Sequence, residues 1–227
     1  MLKTNVSSRR LRGLGFSLAL SVAVFAGEVP APVIWRLDNP AKVAGHVTRV
    51  VGEPKGEREA AIRFGGVRDG VFVPDNPIAG ADAYTIEVRF RPAAGGAEAQ
   101  RFFHLQDERG YRALLETRLD GKGGWWLDTF IQTSETRGGG VTLIDPAKVH
   151  PVDQWYWVAL RYDGQRMAHF VNGQKELEAA GSFVPFRGGS ISIGVRQTLV
   201  YWFKGEIAEV RFHREAVPAE RLQRGER

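Results

Sequence analysis

Along this chain large apolar side chains alternate with polar ones in short runs, each closed by Gly, Pro, Asn or Asp. In "YTIEVRFRP", Ile86, Val88 and Phe90 stand on one side, with Thr85, Glu87, Arg89 and Arg91 on the other, before Pro92 ends the run. Side chains two apart in a strand point the same way, so such a run predicts a strand with a core face and an outer face. "AAIRFGG" and "VFVP" are brief apolar runs bounded by glycine and proline, and "RFFHLQD", "YRALLETRLDG", "WWLDTFIQT", "SISIGVRQ" and "WFKGEIAEVRFH" add further strand signals. "WYWVALRYDGQRMAHFVNGQKEL", Trp155 to Leu177, adds two pairs that suit turns with positive φ, Asp163-Gly164 and Asn172-Gly173, and predicts a three-strand meander. Only "PAERLQ" near the C-terminus has helical character. The series predicts an all-β chain folded as an antiparallel β-sandwich.

The first 26 residues break the pattern. Lys3, Arg9, Arg10 and Arg12 precede the apolar run Leu14 to Ala26, with small residues at Val24 and Ala26 and no acidic residue throughout. That is the order of a secretory signal, and the run falls short of the roughly 20 apolar residues that span a bilayer. The expected division is a signal peptide over 1–26, a linker over 27–32, one domain over 33–222 and a tail over 223–227. The expected location is secreted or periplasmic, with no integral membrane segment.

Removing the leader changes the charge argument. The chain has 31 basic and 26 acidic residues; four of the basic ones lie in the leader, leaving 27 against 26, or +1. No nucleic-acid partner is expected from so small an excess. With 43% hydrophobic residues and no cysteine, the domain is expected to hold together by its core alone, without thiol chemistry or thiolate metal sites.

Taken in order, "AAIRFGGVRDGVFVP", "YTIEVRFRP", "WYWVALRYDGQRMAHFVNG", "SISIGV" and "FKGEIAEVRFHREAVPAERL" resemble the landmarks of laminin-G-like domains of the concanavalin A-like lectin/glucanase superfamily. The resemblance covers nearly all of the expected domain. It implies a jelly roll of two antiparallel sheets, one concave and one convex. The superfamily includes lectins, adhesion modules, glycoside hydrolases and polysaccharide lyases, so fold leaves function open. Many relatives bind calcium near an Asp in a "G-x-I-D-x-V-R" strand. Here Ala208 stands at that position, so no cofactor is expected and calcium has no support there.

The expectation is a non-catalytic module. The E-x-D-x-x-E strand of retaining glucanases is absent, and so is the Q-x-H triplet of the lyases. H-E-x-x-H, G-x-S-x-G and phosphate-loop motifs are also missing. Asp120, before Gly121, reads as a turn former. Trp125, Trp155 and Trp157 read as packing residues.

If Val88, Phe103, Leu115 and Leu127 face the core, the opposite sides carry Arg89, His104, Glu116, Arg118, Trp126 and Asp128. Planar donors, carboxylates and an indole among charges suit the hydroxyls and C–H faces of a sugar. These six are the candidate ligand-binding residues on the concave face, and the expected partner is a glycan or another extracellular ligand. Against this stand a solvated face of ion pairs such as Glu116–Arg89, a protein-adhesion or structural module, and a divergent glycan-cleaving enzyme.

Overall fold

The computed structural model describes residues 30–57, 60–134 and 139–225. The expected leader, and residues 27–29 of the expected linker, lie outside the described residues. In chain order the strands begin with β1 (Val33–Arg36), β2 (Lys42–Val43), β3 (His46–Val47), β4 (Arg49–Val51), β5 (Lys55–Glu57) and β6 (Ala61–Gly65). They continue with β7 (Gly70–Val73), β8 (Tyr84–Pro92), β9 (Ala99–Gln106), β10 (Arg112–Leu119), β11 (Gly124–Gln132) and β12 (Gly140–Ile144). The last are β13 (His150–Pro151), β14 (Tyr156–Tyr162), β15 (Arg166–Val171), β16 (Gln174–Ala180), β17 (Ser190–Ile193) and β18 (Lys204–His213). The expected C-terminal helix is a single 3-10 turn, Ala219–Arg221.

Two antiparallel sheets make the sandwich. The first runs β16-β15-β14-β8-β18-β6-β5, with β1 also on β18. The second runs β12-β11-β10-β9-β17-β7-β4, with β13 also on β11. The meander forms as expected. Asp163 Oδ1 accepts the N–H groups of Gln165 and Arg166, and Asn172 and Gly173 both take positive φ, as a tight twisted hairpin requires.

Alternating apolar residues of both sheets meet in one core. Phe90 of the first sheet stacks on Phe102 of the second at 4.4 Å and meets Trp125 edge-on at 5.1 Å. Trp125 is fully buried there, as expected of a packing residue. Trp157 is also buried, but in register with Arg89 on the outer face of the first sheet, beneath the Arg211 guanidinium. Trp155 lies under Arg89 and Arg91.

The two outer faces differ. The C-terminal segment crosses the first sheet, packing Val217 and Leu222 against Ala159, Ala168 and Phe170. The buried carboxylate of Glu87 anchors it, accepting from Gln223 N–H at 2.7 Å and meeting His213 Nε2 at 2.8 Å. The outer face of the second sheet instead holds an open cleft.

Candidate functional site

The cleft follows from strand register. On β10, Arg112, Leu114, Glu116 and Arg118 point outward, while Ala113, Leu115 and Leu119 enter the core. Across to β11 their partners are Gln132, Phe130, Asp128 and Trp126. On the other side, β9 sets Gln106 beside Arg112, His104 beside Leu114 and Arg101 beside Glu116. The loop after β17 brings Arg196 over this surface, and Thr142 of β12 closes the far side around a cavity of about 220 Å³.

Of the six candidate residues, the structure brings five onto this one face: His104, Glu116, Arg118, Trp126 and Asp128. Arg89 does not join them. It belongs to β8 in the first sheet, because the chain crosses between sheets from β8 to β9. The expected Glu116–Arg89 pair is therefore replaced: Arg101 Nε lies 3.0 Å from Glu116 Oε1. Both His104 and Glu116 are buried, which an outward position in a half-covered sheet did not suggest.

The charges are tightly interlocked. Arg118 donates from Nε and Nη2 to Asp128 Oδ2 at 2.9 and 2.6 Å, and its Nη2 also reaches Glu116 Oε2 at 3.5 Å. Burial and the neighbouring Asp128 push the Glu116 carboxyl up to about 7, against the pull of Arg101 and Arg118. Arg118 thus holds two buried carboxylates together. Its removal would leave them facing each other, so it is a structural clamp as well as a surface group.

His104 lies under the loop, its Nδ1 accepting the Gln197 N–H at 3.0 Å. Its remaining proton therefore sits on Nε2. Burial, then Arg196, Arg112 and Arg101, hold it neutral with a pKa lowered to about 3. Arg101 is fixed by its backbone N–H to Tyr201 O at 2.9 Å and by the Tyr201 ring 3.5 Å from its guanidinium carbon. Both Leu199 and Tyr201 take positive φ, a sparsely populated conformation for such side chains, as the loop folds over the sheet. Gly194 opens that loop at φ 80°, where a β-carbon would strike the Phe64 ring at 2.2 Å.

Beyond Arg118, Trp126 borders a second hollow of about 550 Å³ floored by glycines, including Gly95, Gly96, Gly121 and Gly123. The indole Nε1 is buried without an acceptor. Asp120 is the expected turn former, accepting the N–H groups of Lys122 and Gly124.

Arg101, Phe130, Thr142 and Tyr201 were not legible as site residues. Among the described residues no three His, Asp or Glu side chains converge as a metal site, and Ala208 is buried in β18. No helix among them is long and apolar enough to cross a membrane.

A family model described as the Concanavalin A-like lectin/glucanases superfamily, of laminin-G type, matches residues 64–223. Among curated proteins none matches. Solved structures with this fold include the receptor-binding domain of a botulinum neurotoxin C/D mosaic serotype, at 10% identity and a TM-score of 0.60, covering 83% of this chain and 49% of that one. The chain thus spans about half the length of that receptor-binding domain. Domain 4 of an extracellular arabinanase from Geobacillus stearothermophilus, in complex with arabinotriose, matches at 17% identity and a TM-score of 0.53, covering 86% and 87%. A pentraxin from Limulus polyphemus matches at 18% and 0.53, covering 70% and 77%. At such identities the likeness is one of fold.

Proposed function

The chain belongs to the Concanavalin A-like lectin/glucanases superfamily, and on that premise we propose that it is an exported glycan-binding module whose ligand lies across the outer face of the second sheet. One observation carries the reading: the outer face of the second sheet presents an open cleft of guanidiniums and carboxylates beside the Trp126 hollow, while the C-terminal segment packs over β14 and β15 of the first. Arginine and carboxylate groups that order one another offer fixed donors and acceptors to hydroxyls, and an indole accepts the apolar face of a sugar ring. The arabinanase domain holding arabinotriose supports a sugar; the neurotoxin domain is described as receptor-binding, and a second reading takes the ligand of this chain to be a protein. The reading needs no metal.

A glycan array with the purified protein, repeated with chelator, tests this. Expected is retention on at least one glycan class, unchanged by chelator. Trp126→Ala should weaken it about tenfold, as removal of an aromatic anchor does, while the unfolding midpoint stays within a few degrees. Retention on no glycan, with capture by a receptor protein, would favour the second reading. Glycan retention unaffected by Trp126→Ala would move the site off this face.

A further inference from the structure

The cleft has more positive charge than it neutralises. Four guanidiniums line it, from Arg101, Arg112, Arg118 and Arg196, against two carboxylates, Glu116 and Asp128. Both carboxylates are already engaged: Asp128 by Arg118, and Glu116 by Arg101 and Arg118. Among the described residues Arg112 has only the Phe130 ring, 5.4 Å from its guanidinium carbon, and no carboxylate. Among them Arg196 likewise forms no ion pair, and its Nε is buried without an acceptor. Arg101, whose Nε is paired with Glu116, adds a buried Nη1 without a hydrogen-bond partner. An arginine keeps its charge at every physiological pH, so these groups cannot escape by deprotonation. Proteins rarely gather half-buried like charges and leave their donors unmet, because each such group carries a desolvation cost that its own chain does not return.

An anion would meet both the charge and the donors of these arginines. Hydroxyls of a neutral sugar would satisfy some donors but not the charge. A carboxylate or sulfate would satisfy both, since a guanidinium's fork of N–H groups matches its paired oxygens. Resting on the glycan-binding reading above, we propose that the ligand is an acidic glycan with one carboxylate or sulfate seated between Arg112 and Arg196. That seat lies at the end of β10 opposite Trp126: Arg118 faces Trp126, and Arg112 is six residues away, about 20 Å along a strand. The ligand therefore extends along β10, with its anionic group at one end and a ring at the indole.

Titration calorimetry with the full chain tests this, using oligogalacturonate, its carboxyl-reduced neutral counterpart, a sulfated oligosaccharide and its desulfated form. At least one acidic member should bind about tenfold or more tightly than its neutral counterpart, and its affinity should fall as salt rises. Preference confined to the uronate or to the sulfated sugar assigns the anion. Arg112→Gln and Arg196→Gln should each weaken that binding about tenfold or more, the loss of a charge-assisted contact. Neither variant should lower the unfolding midpoint, because neither arginine holds a carboxylate; a lowered midpoint with unchanged binding would make them structural and overturn the proposal. Equal affinity for acidic and neutral forms, lost in Trp126→Ala, would overturn the acidic ligand while keeping the glycan reading. Binding of no member here and of no glycan on the array would remove both.

Discussion

Glu116 and the buried histidines pull stability in opposite directions with pH. The Glu116 carboxyl titrates near 7 in the folded protein against 4.5 in the open chain. Between those values the unfolded chain has released the proton that the folded chain keeps. Stability therefore falls as pH rises from about 4.5 to about 7 and levels off above. His104 and His169 are lowered by burial to about 3 and about 4, from 6.5. Below 6.5 the unfolded chain takes up protons that these two rings refuse, so their contribution is lost as pH falls. Glu116→Gln removes the first effect and leaves the second. Relative to the parent, the variant should gain about 2–3 kcal/mol between pH 5 and pH 8, since each tenfold difference in proton affinity between folded and unfolded chains is worth about 1.4 kcal/mol. Urea denaturation of both proteins at the two pH values measures it. A difference between them that does not change with pH would mean that Glu116 ionises as an ordinary surface glutamate.

A bulge decides which way β9 aims its arginine. Counting back by twos from Phe103 would place Arg101 in the core. The register instead passes from Leu115–Phe103 to Glu116–Arg101, leaving Phe102 as the extra residue. Phe102 and Phe103 are both fully buried, and Arg101 turns outward onto Glu116. Deleting Phe102 removes the bulge and leaves Arg101 beside Phe103, still outward, but takes a fully buried ring from the core, so the variant should lose about 3–5 kcal/mol. Phe102→Leu keeps the bulge and should fold at a cost of roughly 1–2 kcal/mol. Circular dichroism melts separate the two, and a deletion variant melting like the parent would show that the Phe102 ring does not support the core beneath β9. This element also marks where the sequence stops being legible. Period two gave the faces of β8, β10 and β11 correctly, because on each the apolar residues enter the shared core and the polar ones take the other side. It placed five candidate residues together for the same reason. Alternation encodes a face but not a partner strand, so it could not reveal that β8 and β9 lie in different sheets, and Arg89 was misplaced. A one-residue bulge leaves no trace in composition, so Arg101 was missed. Tyr201 and the seat of Arg196 depend on a loop whose positive-φ residues, Leu199 and Tyr201, are neither glycine nor asparagine.

At the scale of the molecule, the open sheet can hold its charges only because the other sheet supports it from behind. Phe90 lies in the first sheet, yet its ring meets Phe102 and Trp125 of the second at 4.4 and 5.1 Å, and also meets Phe203 at 6.1 Å. Trp125 in turn meets Tyr156 of the first sheet at 5.1 Å. No layer of separate contacts divides the two halves, so the second sheet has no core of its own to fall back on. The strands carrying the cleft, β9, β10 and β11, place their inner residues in that shared core. Loss of the cleft and loss of the sandwich should therefore be one event. Phe90→Ala, far from the cleft surface, should cost about 3–5 kcal/mol as a large core truncation. Its denaturant midpoint should drop while the slope stays that of the parent. Followed in parallel by far-UV circular dichroism and by retention of the glycan proposed for the cleft, parent and variant should each give coincident transitions. If the variant released ligand at a denaturant concentration where its strand signal was intact, the second sheet would be loosening independently, and the shared aromatic core would not be what holds the cleft in shape.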